Sequence, residues 1–370
     1  MSSRLLFIDN LRAAMIALVV MVHAAVTYSG MGNWFYKEKL SESLDFFSLV
    51  FFGVFQSFTQ AYFMSILFLF AGYFAVSSLE RKGQARFLSD RFLRLGVPTL
   101  FFIFVLFPIC VMLAEPGIDV VGLYFEGIAS FAFLSWTGPL WFALTLLLFS
   151  CAYVLVSGLG GRPVLRAKVS VWNVLLLTVF IALFSFIVRI FSPIDSSWYN
   201  LQLPYFPAYI VAFALGVLLY GSDVFDRIDY RTGKRWLLAS LLIGLPLWFF
   251  VMLVGGAADG STLFKGGINW QAAGYALWEA FFCVTFTVAL IGIFRKRFNT
   301  QNAAEKYFSD NSFPAYVFHA PVLIAVSVLL KGVLLYPVMK FLLVSAIAVP
   351  LSFGVAGLVR RSGVLRKTFS

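Results

Sequence analysis

Apolar runs of about 18 to 22 residues recur from one end of this chain to the other, and each is long enough as a helix to cross roughly 30 Å of hydrocarbon. In lipid every backbone N–H and C=O must be satisfied within the fold, which leaves helices and closed barrels as the spanning structures. None of the runs alternates in the manner of barrel strands. Composition agrees, with 61% hydrophobic residues, 12% charged residues and a mean hydropathy of +0.91. The expectation is an all-α polytopic membrane bundle forming a single domain over residues 1–370, with ten crossings at 11–30, 60–79, 95–114, 138–158, 172–191, 203–220, 236–255, 272–294, 314–332 and 340–358.

Arginine and lysine test that count, because cytoplasmic loops hold most of them. With ten crossings and both termini cytoplasmic, 22 of the 28 basic residues fall inside, in clusters around Arg4 and Arg12, Arg81 to Arg94, Arg162 to Lys168, Arg227 to Arg235, Arg295 to Lys306, and Arg360 to Lys367. The net charge of +11 then records orientation and attraction to anionic headgroups, and nucleic acid is not an expected partner. Residues 43–60 are also apolar, but an extra span there would move the Arg81 to Arg94 cluster outside, so they are read as an interfacial or re-entrant helix. The first apolar stretch is expected to be retained rather than cleaved, since Asp9 and Arg12 interrupt its approach. Cys110, Cys151 and Cys283 show no CxxC pairing and are read as buried fillers, with no metal site expected.

Polar residues inside the spans carry the functional signal. Arg12 and His23 are eleven residues apart, which returns to nearly the same helix face with about 16 Å between them. The only two histidines, His23 and His319, both lie in predicted crossings, where an uncharged imidazole can serve as a base or be satisfied by a neighbouring helix. Asp9 is placed to pair with Arg12 one turn away. Arg91 and Arg94 share a face at the start of the third span, either anchoring it or gripping phosphate oxygens. Tyr316 neighbours His319, and Asn311 and Ser312 are placed to cap that helix, with Pro314 in its first turn. Glu279 is either a site residue or a partner for a basic group. Trp34, Trp136, Trp141, Trp198 and Trp270 read as interfacial anchors that could also stack on sugar rings, and Gly72 and Gly255-Gly256 as points of helix contact or termination.

Asp9-Asn10-Leu11-Arg12 with His23, Arg91-x-x-Arg94, Ser312 through His319, and Phe68 through Tyr73 together resemble the membrane acyltransferase 3 family across most of the chain. The lack of a fused hydrolase-like domain resembles the glucan biosynthesis C branch. What the resemblance implies is transfer of an acetyl or succinyl group from a cytoplasmic acyl-coenzyme A to a hydroxyl of an extracytoplasmic glycan, in a bacterial inner membrane. Arg12, Arg91, Arg94, Asp9 and Ser312 would then bind the donor, and His23, His319 and Tyr316 would carry the chemistry. His23 would act as general base, or as nucleophile through an acyl-histidine, with Tyr316 or His319 stabilising the oxyanion. A proton-coupled secondary transporter using His23, His319 or Glu279 is the alternative from the residues alone. Such a bundle can also assemble as a homo-oligomer.

Overall fold

The computed structural model describes residues 5–39, 43–158, 160, 163–166 and 168–361. Among them the regular structure is helical: α1 (Leu6–Ser29), α2 (Phe46–Lys82), α3 (Gln84–Ala114), α4 (Val120–Ala129), α5 (Gly138–Ser157), α6 (Val171–Phe191), α7 (Leu203–Leu219), α8 (Tyr230–Val254), α9 (Trp270–Arg297), α10 (Ala303–Asp310), α11 (Ser312–Leu329) and α12 (Pro337–Arg361). Nine of these are long and apolar enough to cross a bilayer. The tenth expected span, α7, is shorter, yet it runs the same course: it begins beside the turn at Trp198 and Leu201, and its Leu218 carbonyl accepts from Leu165 at the other end.

Hydrogen bonds define the two ends of the bundle. At the N-terminal end Asn10 bonds the carbonyls of Phe298 and Thr300, Arg360 reaches the Asp310 carbonyl, and Arg295 reaches that of Asp226. At the opposite end Glu38 donates its N–H to the Thr27 carbonyl, Lys340 pairs with Glu38, Tyr336 bonds Asp45, and Asn200 bonds Thr137. The described members of the basic clusters belong to the N-terminal end. Arg4, Arg162, Arg366 and Lys367 lie outside the described residues.

Residues 43–60 depart from expectation. They are not a separate interfacial or re-entrant helix, because residues 46–60 form the first turns of α2, which runs unbroken for 37 residues from the Asp45 cap. No proline interrupts the stretch, and its glutamines are satisfied inside the bundle. Gln56 donates to Ser29 Oγ at 2.8 Å and Gln60 to the Tyr209 hydroxyl at 3.1 Å. Further along, α2 meets α7 at two glycines: a Cβ on Gly72 would sit 2.1 Å from the Phe213 carbonyl, and one on Gly216 2.0 Å from that of Leu69. Only hydrogen fits at both, so the backbones approach as small-residue membrane contacts do.

Helix α3 is broken by two π turns, Phe92–Gly96 and Phe102–Leu106, each two residues before a proline, Pro98 and Pro108. Proline cannot donate to the carbonyl four residues earlier, and the widened turn absorbs the clash. The Tyr124 hydroxyl of α4 takes the Phe104 carbonyl that Pro108 leaves without an N–H. Two smaller expectations also change. Cys151 is exposed on the bundle surface, whereas Cys110 and Cys283 are buried. Trp136 is buried against Phe107 and Trp141 packs on Tyr209, so of the expected anchors Trp198 and Trp270 are the exposed ones.

Candidate active site

Helix α1 carries His23 two turns from its C-terminal end, and α11 carries His319 beside it. The two rings meet, with His319 Nε2 and His23 Nδ1 3.1 Å apart. His319 Nδ1 lies 2.6 Å from the Tyr316 carbonyl. A carbonyl only accepts, so His319 Nδ1 carries the proton, and neutral His319 offers a bare Nε2. His23 must then donate from Nδ1, which leaves the lone pair on its Nε2. The backbone of α11 thus sets the His319 tautomer, and the contact between the rings pairs a bare nitrogen of His319 with an N–H of His23.

The Tyr316 hydroxyl does not serve this pair. It donates to the Pro139 carbonyl at the start of α5, and the residue is buried. The expectation that Tyr316 or His319 stabilises an oxyanion fails on this count, since each spends its proton on a backbone carbonyl. The residue that sequence reasoning missed is Trp34. Its indole stacks on His23 with centroids 4.0 Å apart, so it is not an interfacial anchor. Its Nε1 is buried without a partner among the described residues. Two glycines with left-handed backbone, Gly30 at φ 68° and Gly32 at φ 104°, turn the chain back over the end of α1 and were the available signal. Glu38, tied to Lys340 and to the Thr27 backbone, fastens the segment on the far side of Trp34.

At the N-terminal end the structure gathers Arg12, Arg91 and Arg94 into one electrostatic neighbourhood. Asp9 sits 3.8 Å from Arg12, and the Arg91 guanidinium lies over the Phe87 ring. The π turn begins directly after Arg91 and contains Arg94, so the pair owes its presentation to Pro98. Ser312 stands apart from them: its hydroxyl donates to the Ser309 carbonyl at 3.0 Å at the junction of α10 and α11. Asn311 likewise bonds back to Tyr307 instead of capping α11. Glu279 resolves as a partner, pairing at 2.5 Å with Arg189, which is fully buried and also donates to the Pro204 carbonyl.

The helical bundle, long and apolar enough to span a bilayer, holds two contacting imidazoles under an aromatic ring, with Arg12 of the guanidinium cluster on the same first helix as His23 and Arg91 and Arg94 on α3. The chain belongs to the acyltransferase 3 family, whose profile, described as an acyltransferase domain, matches residues 5–357. It is a multi-pass integral membrane acyltransferase. Comparison with curated proteins and with solved structures finds no match.

Proposed function

We propose that this protein moves an acetyl or succinyl group from a cytoplasmic acyl-coenzyme A to a hydroxyl of an extracytoplasmic glycan, as in the glucan biosynthesis C branch of its family. The bacterial inner membrane, with the N-terminal end facing the cytoplasm, fits the basic clusters at that end. The observation that carries the chemistry is the relay from the Tyr316 carbonyl through His319 to His23. Family membership favours this reading over proton-coupled transport.

In this reading Arg91, Arg94 and Arg12 hold the donor's phosphates, with Asp9 orienting Arg12, and the thioester reaches inward along α1 toward His23. The acceptor hydroxyl gives its proton to His23 Nε2 while its oxygen attacks the thioester carbon. His319 Nε2 accepts from the His23 imidazolium. The oxyanion takes the indole N–H of Trp34, the unspent donor beside the base. Collapse expels the thiolate, which recovers the proton from His23.

The test is release of free thiol from acetyl- and succinyl-coenzyme A by purified protein with envelope glycans, wild type against His23→Ala. Glycan-dependent release that disappears in the variant supports the reading. Release that survives in folded His23→Ala removes His23 from the mechanism.

A further inference from the structure

A cleft of about 540 Å³ opens between α6, α7 and α9, with α2 as its floor. None of the residues of the His23 and Trp34 site or of the arginine cluster lines it. Its walls are almost wholly aliphatic, from Val174, Ile181 and Leu215 to Val288 and Ile291. Polar groups gather at the mouth, where Arg166 and Lys168 are exposed, and no acidic residue lines it. The mouth is held in place by the bond from Leu165 to the Leu218 carbonyl at the end of α7.

Depth decides what fits. The lining runs from Asn173 to Ile181 on α6, from Leu219 to Ala208 on α7 and from Ile291 to Cys283 on α9. At 1.5 Å per residue those stretches are about 12 to 16 Å long. One leaflet of a hydrocarbon core of about 30 Å has that depth. Aliphatic walls of this depth make dispersion contacts with an apolar chain of matching length. Two cations at the mouth stand at the level of lipid phosphates, where each basic residue attracts an anionic headgroup.

We propose that this cleft is a binding site for an anionic phospholipid of the leaflet at the N-terminal end, with one acyl chain between α6 and α7 and the phosphate against Arg166 and Lys168. The site is independent of the acyl-transfer reading. Selectivity comes from the charge at the mouth, and retention comes from the chain.

The experiment is native mass spectrometry of the full chain released from nanodiscs containing phosphatidylglycerol and phosphatidylcholine with identical chains. Wild type is expected to keep one equivalent of phosphatidylglycerol in preference to phosphatidylcholine. Arg166→Gln/Lys168→Gln should weaken that preference by about 30-fold, from about 1 kcal/mol per basic residue near the surface. Ala212→Phe, which fills the cleft and spares both cations, should lose the bound lipid altogether. Equal retention of both lipids, insensitive to the double substitution, overturns the proposal. Displacement by glycerol phosphate as effective as by the intact lipid also overturns it, because the site would then be one for a free anion. Arg166 and Lys168 are surface side chains, so the double variant is expected to fold and settles the matter even where Ala212→Phe does not.

Discussion

Replacing His319 by phenylalanine keeps a buried ring between His23 and Tyr316 and removes both nitrogens of the relay. Two losses follow for His23. Without the His319 acceptor at 3.1 Å, the Nδ1–H of His23 loses one of the contacts that favour it, and the tautomer with the proton on Nε2 competes better. A neutral hydrogen bond is worth about 0.5–1.5 kcal/mol net, so this costs up to about tenfold in competent enzyme. The second loss is in the transition state. Once His23 takes a proton its bond to His319 becomes charge-assisted and roughly twice as strong, and the extra kcal/mol or so acts on kcat alone. Together they predict a fall in kcat of about 10- to 100-fold with little change in KM for the donor. Glutamine at 319 offers an amide N–H to the Tyr316 carbonyl and an oxygen to His23, so His319→Gln should recover much of the loss. Steady-state thiol release from the acyl donor, with thermal unfolding in detergent as the fold control, measures both variants. Undiminished kcat in His319→Phe would refute the relay. A loss as complete as in His23→Ala, with no recovery by glutamine, would make His319 a base in its own right.

Trp34→Phe keeps the stack on His23 and deletes the N–H, so kcat should drop by about 10²- to 10³-fold with KM unchanged; unchanged kcat alongside an inactive His23→Ala would remove Trp34 while leaving the base in place. Arg91→Ala should raise donor KM while kcat holds, seen in initial rates against donor concentration, and equal loss in both would mean the arginine cluster does more than bind. Breaking the buried pair by Arg189→Met or Glu279→Gln should cost about 3–5 kcal/mol of stability, whereas Arg189→Met/Glu279→Met recovers most of it in equilibrium unfolding. The Tyr336 hydroxyl and Ser48 lower the Asp45 carboxyl to about 2, so its contribution to stability is complete above the ordinary value and is lost as pH falls from about 4 to about 2. Melting curves of wild type and Asp45→Asn should therefore converge across that window and stay apart above it.

How much was legible in the sequence follows from what single-helix patterns can encode. Nine spans and the course of the tenth were readable because apolar length is a local property, and the basic clusters fixed which loops share an end. The shared stripe of Arg12 and His23 was readable for the same reason. Contacts between distant helices were not. The fate of Glu279 depends on Arg189, ninety positions away, and neither has a spacing that names the other. Residues 43–60 read as interfacial because a further crossing would move the Arg81 to Arg94 cluster outside, and that count does not show that one helix of 37 residues holds both this stretch and the second span, with Gln56 and Gln60 satisfied by Ser29 and Tyr209. Trp34 looked like an anchor because tryptophan commonly is one near a membrane surface. Its role depends on a loop that Gly30 and Gly32 turn back over α1, and a turn signal does not say what the turned chain lands on.

The two polar groupings on α1 constrain the reaction more than either does alone. Arg12 and His23 belong to one rigid helix, about 16 Å apart, so their separation does not close during turnover. In the proposed mechanism a donor held by its phosphates at the arginines would therefore be extended when its thioester meets His23, and a shortened donor is expected to lose turnover rather than binding alone. Trp34 reaches His23 from the loop at the opposite end, so donor and acceptor need not share an entrance. In the proposed mechanism His23 stands where the two routes would meet, and its partner His319 is oriented by a backbone carbonyl rather than by a carboxylate. That choice suits the bilayer: a carbonyl orients the imidazole as a carboxylate would, yet adds no buried charge that the surrounding helices would have to compensate.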